Sequence, residues 1–544
     1  MTYVLAINPT IEGFGTHDPA AALFADDGLA FAIEEGRLID RKRAPKTFPT
    51  AAVGSCLDYA GIDGSAIDRV VIPWNVPIGA ENGSVAAKRR RAGLERAIVE
   101  AVGRAPPVDS VNHHRSHAAS AFVPSGFDEA LVLTIDGRGG RDSTVVWRGG
   151  DGTLKRIRRY EAPNSLGYLY AAVAGYLGFQ PFGGEGKMMG LAPYGAIGSD
   201  IGERFRGAVR GGVDYDVTPL VGSGVPTAID RLERLFGAPR ASSRRSVSAR
   251  EKALARTVQA FLEETVVAIC ETYCAELGLD RVCLAGGVAL NCKLNQRLAE
   301  SPAVSELFVQ PVAHDAGAAL GAALVTMGTR SLPATVYLGP SAEPNVIKRL
   351  LVRDGVEYSV PDDPVEYAAV ALAEGAIVGW FQGRLEMGPR ALGNRSILAD
   401  PRSSDARGRV NGFVKGRASW RPFAPSVLAE SATRYFNGPM PAPHMMRTVD
   451  VTPQRDGEIP AARHPGDGTA RPQTVTRGDN PRYHRLLEAF AERTGVPVLL
   501  NTSFNESGAP VVATPADALD VFDRTGLDLL VLEDCVVERS DHRQ

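Results

Sequence analysis

The chain of 544 residues has little of what would place it in a special class of protein. It has only six cysteines, Cys56, Cys270, Cys274, Cys283, Cys292 and Cys535, with no Cys-x-x-Cys pair. That excludes a disulfide scaffold or paired-thiol zinc site and fits buried thiols in a reducing cytoplasm. Long apolar runs are missing, and none reaches the roughly 18 residues needed to read a membrane span, so no membrane partner is expected. Neither sign of charge dominates: 60 Lys and Arg stand against 63 Asp and Glu, a formal net charge of −3, so nothing overall attracts nucleic acid. The one basic run, AAKRRRAG at 86–93, reads as a solvated helix face. The opening YVLAIN enters a strand directly, without the features of a targeting segment. The length exceeds one ordinary core and predicts two or three domains.

What is present begins with a repeated plan. YVLAIN at 3–8 is followed by AAALFADDGLAFAIEE at 20–35, two strands around a DDG turn. From residue 129 the pattern returns: EALVLTIDGRGG reads as a strand ending at Asp136, and STVVWRGGDGTLKRIRRYE supplies two more strands around a GGDG turn. Helical sequence follows each set, including a long amphipathic stretch from about 254 to 277. Two such units suggest the duplicated fold of actin, sugar kinases and Hsp70, where nucleotide phosphates sit between the halves; the alternative is unrelated α/β units sharing short turns. RVCLAGGVALNCKLN at 281–295 then passes from a strand through Gly286 and Gly287 into a helix, where backbone N–H groups can approach phosphate. LFVQPVAHDAGAALGAAL at 307–324 again places an acid, Asp315, at the C-terminal end of an expected strand, before a small-residue helix.

Histidine is also scarce, nine in all, yet NHHRSHAAS at 112–120 holds three within five positions. If Asn112 caps a helix, His113 and His117 stand at i and i+4 on one face, a spacing that offers two imidazoles to one metal, while His114 points elsewhere. Asp136 and Asp315 can complete the set, which suits a borderline divalent ion such as Fe²⁺, Mn²⁺ or Zn²⁺. The competing reading is a group of hydrogen-bonded structural histidines.

TRSLPATVYLGPSAEPN at 329–345 reads as a linker, and a second domain follows. Its loops carry Arg384, Arg390 and Arg395 in WFQGRLEMGPRALGNRS, Lys415, Arg417 and Arg421 in VKGRASWRPFAPS, and Arg471 in GDGTARPQTV. GVPVLLNTSFNESGAP delivers Asn501, Ser503 and Asn505 into a turn. So many cationic side chains in Gly- and Pro-rich loops of a nearly neutral chain point to a small anionic ligand, since guanidinium forks match phosphate oxygens; ordinary surface arginine is the competing reading.

HHRSHAASAF, TIDGRGG, GGEGKMMGLAPYG, LAGGVALNCKLN and HDAGAALGAA resemble, in order, the N-terminal domain of the O-carbamoyltransferases that decorate nodulation factors, cephalosporins, aminoglycosides and related products. That domain is similar to the tRNA threonylcarbamoyl-transfer enzyme, with a metal on its HxxxH motif and a late Asp. The segments after the linker resemble the C-terminal half of the same family, of YrdC-like fold. The resemblance implies an α/β protein with a duplicated actin/Hsp70-like (ASKHA) domain over 1–340 and a YrdC-like carbamoyladenylate-forming domain over 341–544. It departs from the family at Gly36 and Arg43, where a Glu and a His are usual, and at PMPAPHMMRTV (439–449).

The activity so implied uses ATP, Mg²⁺ and a transition metal, Fe²⁺ by resemblance, with carbamoyl phosphate and a hydroxyl-bearing small molecule as partners. Arg390, Lys415, Arg421, Arg471 and Ser503, with Asn501 and Asn505 nearby, would make carbamoyladenylate. His113, His117, Asp136 and Asp315 would hold the metal, with Gly286, Gly287, Asn291 and Lys187 cradling the nucleotide. His17, in GTHDPAAAL, is the candidate base for the acceptor hydroxyl, a structural role being the alternative. Rival readings are threonylcarbamoyl transfer to tRNA, disfavoured by the absence of an extended basic face, a non-catalytic actin-like nucleotide-binding regulator, and a small-molecule kinase.

Overall fold

A computed structural model describes residues 2–539 except 13, 27, 76–84, 199, 242–245, 331 and 333. Asp27 of the expected DDG turn and Ser331 and Pro333 of the expected linker lie outside the described residues. The chain divides into two compact units, the first comprising 1–35 and 44–334, the second 36–43 and 335–544.

The first unit is built on two sheets. One contains β1 (Tyr3–Asn8), β2 (Ala20–Ala25), β3 (Gly28–Glu34), β4 (Ile67–Ile72) and β5 (Val108–Ser110); the other contains β6 (Glu129–Gly139), β7 (Asp142–Gly150), β8 (Thr153–Glu161), β9 (Arg281–Ala285) and β10 (Glu306–Val309). Their orders are β3-β2-β1-β4-β5 and β8-β7-β6-β9-β10. In both, the first three strands form an antiparallel meander and the last two join it in parallel. The expected duplication is therefore present strand for strand. The central strands are buried on both faces, which is why they read as nearly continuous apolar runs.

Local sequence sets several helix ends. Ser248 and Glu251 form a reciprocal capping box for Ala249–Leu277, so that helix starts five residues before its amphipathic stretch became evident in the sequence. Asn112 accepts the Arg115 N–H at 3.0 Å and starts the His113–Ser125 helix as expected. Helix Asp315–Met327 packs on it at backbone distance, because a Cβ at Gly321 would lie 1.7 Å from the Ser116 carbonyl oxygen. Run 86–93 lies on the Val85–Val102 helix, whose buried residues are Leu94, Ile98 and Val102, so its charges face solvent. All six cysteines are buried free thiols.

The second unit centres on a seven-stranded mixed sheet. It adds β11 (Val378–Phe381), β12 (Arg395–Ala399) and β13 (Ala424–Leu428), while β14 (Phe436–Asn437), β15 (Val449–Val451) and β16 (Thr469–Ala470) form a small separate sheet. With β17 (Gln473–Val475), β18 (Val498–Ser503), β19 (Leu529–Leu532) and β20 (Cys535–Glu538), the large sheet runs β17-β13-β18-β12-β11-β19-β20. Apolar clusters cover both faces: Val378, Trp380 and Leu398 pack to one side and Phe381, Ile397 and Ala399 to the other, following the period of two. Among the described residues no helix is long and apolar enough to cross a membrane.

Candidate functional site

In the first unit four side chains converge. His113 Nε2 lies 3.1 Å from His117 Nε2 and 3.2 Å from Asp136 Oδ2, and His117 Nε2 is 3.3 Å from the same carboxylate oxygen. Asp315 Oδ1 completes the group at 3.6 and 3.7 Å from the two imidazoles. These separations suit ligand atoms each about 2.1 Å from one central ion. The helical i, i+4 spacing supplies the imidazole pair, as the sequence indicated. The acids arrive differently from expectation: β6 runs on past Asp136 to Gly139 with its pairing register broken after Ile135, and Asp315 is the first residue of a helix beginning six residues after β10 ends.

Close packing fixes this geometry. A Cβ at Gly139 would meet the His113 ring at 2.4 Å, and one at Gly167 would meet the Asp136 backbone at 2.7 Å. His113 Nδ1 lies 3.3 Å from the Pro73 carbonyl oxygen; donating there, it leaves the Nε2 lone pair for the cluster, the usual arrangement of a metal-binding histidine. Burial alone would lower the His117 pKa, yet Asp136 and Asp315 outweigh it and hold the imidazole at about 9. The same contacts outweigh desolvation at Asp136 and keep its carboxyl well below the usual range. His114 faces away, bonded at 3.0 Å to both Thr134 Oγ1 and the Asp142 carbonyl, and burial followed by the charge of His113 lowers it to about 3.

Around this group, the Gly286–Gly287 turn lies against β6: a Cβ on Gly286 would be 2.3 Å from the Ile135 oxygen, and one on Gly287 3.2 Å from Asp136 Oδ1. The glycines thus allow backbone beside the carboxylate where no side chain fits. Asn291 has a different position from that of an open cradle. Its side chain exchanges two hydrogen bonds with Gln259, at 2.9 and 3.0 Å, and caps the Cys292–Ala299 helix through Leu294 N–H. Lys187 is a half-buried residue of the short Glu185–Leu191 helix. His17 Nδ1 lies 2.8 Å from Asp18 Oδ2, so a carboxylate orients the imidazole of the candidate base.

The second unit gathers cations. Lys415 is 3% exposed and donates to the Ser503 carbonyl and, at 2.7 Å each, to the Asn505 carbonyl and side-chain oxygens. Three acceptors saturate its ammonium group, so it braces the NTSFN turn while contributing charge. Burial, then Arg417, Lys42 and Arg421, pull Lys415 well below the ordinary ammonium range. Burial, then Arg421 and Arg471, lower Arg417 to about 9; burial and Arg471 lower Arg421. Among the described residues, the charges that shift these three groups are all cationic. Ser503 Oγ donates to Asn505 Oδ1 at 2.7 Å, placing both in the same turn. Asn501 is buried in the sheet with its amide on Ser426 and Gln473.

Arg390 stands on the loop before β12, and Glu386 shapes that loop: its Oε1 accepts N–H bonds from Leu392 at 2.7 Å and Asn394 at 2.8 Å. Gln473, two residues beyond Arg471, donates to the Leu392 carbonyl at 2.8 Å and joins the two loops. Arg37, from the 36–43 segment, donates to the Glu386 and Gly388 carbonyls. Neither Glu386 nor Lys42 is marked by its sequence surroundings as part of this site. Arg417 lay inside the Lys- and Arg-rich motif, whereas Lys42 lies hundreds of residues away and carried no local signal. Glu430, His484 and Glu488 also gather, but Arg477 holds both Glu488 oxygens at 2.9 and 3.0 Å, which makes this an ion-pair network.

Comparison with known proteins gives the family of the chain. Residues 90–324 match the family described as carbamoyltransferase N-terminus and residues 369–539 the carbamoyltransferase C-terminus. Nodulation protein NolNO of Sinorhizobium fredii is 38% identical over 96% of this chain and 79% of its own length. Nodulation protein NolO of Bradyrhizobium diazoefficiens is 40% identical over 79% of each chain, and the 3'-hydroxymethylcephem-O-carbamoyltransferase of Amycolatopsis lactamdurans 29% over 96% and 98%. Among solved structures, T. kodakarensis HypF aligns over 60% of this chain and 48% of its own at 14% identity with a TM-score of 0.34, too loose a superposition to bear on function. The chain belongs to the carbamoyltransferase family, and it is an enzyme of that class.

Proposed function

We propose that this carbamoyltransferase is ATP-dependent and transfers the carbamoyl group to a hydroxyl of a small molecule, in two steps carried by different units. The observation that supports the reading is the cation cluster of the second unit: burial and the charges of Lys42, Arg417, Arg421 and Arg471 disfavour the charged forms of Lys415, Arg417 and Arg421, a setting that a bound polyanion would favour. The unit is read as the YrdC-like half. There water would cleave carbamoyl phosphate to carbamate and phosphate, and a carbamate oxygen would attack the α-phosphorus of ATP, giving carbamoyladenylate as pyrophosphate leaves with the electron pair of the broken P–O bond; Arg390, Arg421 and Arg471 would hold phosphate oxygens, Mg²⁺ when bound would neutralise further phosphate charge, and Lys415 holds the turn of Ser503 and Asn505.

The first unit, whose paired sheets support the ASKHA reading, would carry the transfer. The donor set of His113, His117, Asp136 and Asp315 fits a divalent transition metal, Fe²⁺ being the family-based choice; when bound, it supplies Lewis-acid polarisation of an adenylate oxygen. His17 would take the proton of the acceptor hydroxyl as its oxygen attacks the carbamoyl carbon. Asp18 stabilises the imidazolium that results, and AMP leaves with the electron pair of the broken C–O bond. The Gly286–Gly287 turn and Lys187 would lie toward the nucleotide. The hydroxyl acceptor is proposed because the cephem relative is named as an O-carbamoyltransferase. The test is to incubate the full chain with ATP, Mg²⁺ and carbamoyl phosphate without acceptor: pyrophosphate and AMP should form only when carbamoyl phosphate is present. Formation of ADP instead would refute it.

A further inference from the structure

The candidate base and the imidazole–carboxylate cluster are not held independently. Trp74, just after β4, stacks its ring on His113 with centroids 4.1 Å apart and planes at 24°. The preceding residue, Pro73, offers its carbonyl oxygen to His113 Nδ1. One dipeptide therefore restrains the ring both across its face and in its plane, the two directions that decide where Nε2 points. On its other side, Trp74 donates its indole N–H to Asn8 Oδ1 at 2.8 Å, and Ser110 Oγ donates to the Trp74 carbonyl at 2.6 Å.

Asn8 is wholly buried at the end of β1, and its Nδ2 donates to the Asp18 carbonyl at 2.9 Å. Asp18 has a φ of 59°, in the left-handed region that few residues with a Cβ adopt, and the Asn8 bond to its carbonyl holds that backbone in place. In that conformation its carboxylate meets His17 Nδ1. Gly15 completes the contact: a Cβ there would be 3.4 Å from the indole and 2.7 Å from the Pro9 carbonyl. The chain of contacts His17, Asp18, Asn8, Trp74, His113 is continuous within the first unit, and each of its members is fixed by a named bond or a ring stack.

We propose that Asn8 and Trp74 are positioning residues, a clamp that sets the His17–Asp18 dyad and the His113 ligand relative to each other. The proposal rests on reading the His/Asp cluster as a metal site and His17 as the base. Its consequence is that metal affinity and acceptor deprotonation respond to a change at Trp74, a residue that need touch neither metal nor acceptor. Loss of an outer-shell partner of a ligating histidine lowers metal affinity about 10- to 100-fold.

The test titrates the metal-stripped full chain with Mn²⁺ by calorimetry and with Co²⁺ by its visible d–d absorption, comparing wild type, Trp74→Leu, Trp74→Phe and Asn8→Ala, with thermal unfolding recorded for each. Trp74→Leu should bind Mn²⁺ at least tenfold more weakly and shift the Co²⁺ band, because the His113 ring loses its stacking partner. Trp74→Phe keeps an aromatic face and should restore affinity to within about threefold. It lacks the indole N–H, so, like Asn8→Ala, it should lower kcat for transfer more than it changes acceptor KM. If wild type binds one Mn²⁺ and a folded Trp74→Leu binds it equally well with an unchanged Co²⁺ spectrum, the clamp is refuted while the metal reading stands. If wild type itself binds neither ion, the metal reading fails and the clamp with it.

Discussion

The cluster in the first unit and the cluster in the second are opposite solutions to burying charge. At His113, His117, Asp136 and Asp315 each charge has an opposite partner: the carboxylates raise His117 to about 9 and the imidazoles hold Asp136 low, so the group is self-compensated without a ligand. Around Lys415, Arg417 and Arg421, like charges and burial push the same way, so a bound anion would relieve both. A cluster that is neutralised internally can exchange its protons for a metal. One in which cations face one another gains from a bound anion.

The sharpest way to break this contrast is to neutralise one charge in each. Asp136→Asn leaves two imidazoles without the carboxylate they share and should destabilise the ligand-free protein by about 3 kcal/mol, the typical cost of orphaning a buried partner. Arg421→Met should go the other way, stabilising the ligand-free chain because burial and Arg471 already disfavour its charge. Denaturant unfolding of the unit concerned checks both signs; the same sign for the two variants would remove the distinction. Arg421→Met should at the same time lose about 100-fold or more in pyrophosphate formation, a stability gain bought with function.

A steric change comes next in size. Gly321→Ala would place a methyl group 1.7 Å from the Ser116 oxygen, forcing the Asp315 and His113 helices apart. Overpacking of this kind costs about 1–3 kcal/mol, and here it should also weaken Mn²⁺ binding while leaving pyrophosphate formation unchanged. The smallest expected effect is on pH dependence. Lys415 titrates below the ordinary lysine range, so as pH rises its ammonium loses its proton earlier than an exposed lysine would. Polyphosphate binding, measured with non-hydrolysable ATP, should therefore weaken as pH rises, beginning below the pH at which an exposed lysine deprotonates, and should take up protons, since a bound anion raises the Lys415 pKa again. An affinity that stays constant as pH rises would contradict the assignment.

How far these clusters were legible in the sequence depended on whether their geometry is local. The His113/His117 pair follows from helix periodicity and an Asn112 cap, and the meanders from alternation and turn residues, so both could be read directly. Asp136 and Asp315 were identifiable as acids near strand–helix junctions, but their actual seats, inside a broken strand register and at a helix start, depend on packing through Gly139, Gly167 and Gly321. Asn291 looked available from its motif; its engagement with Gln259, 32 positions away, is a tertiary fact. Lys42 and Arg37 could not be assigned to the second unit at all from sequence, because the chain enters that unit for eight residues and leaves again. Trp74 and Asn8 carry no motif, and only the stacked ring and the indole bond reveal them.

The most direct test of the central claim separates the two clusters in one assay: pyrophosphate release and carbamoyl transfer measured side by side for wild type, Arg471→Ala and His113→Ala, with ATP, carbamoyl phosphate and a hydroxyl acceptor. The account predicts that Arg471→Ala abolishes both, whereas His113→Ala keeps pyrophosphate release near the wild-type rate and loses transfer. Loss of pyrophosphate release in His113→Ala, or transfer persisting in Arg471→Ala, would contradict a division of the chemistry between a cation cluster and a self-compensated one.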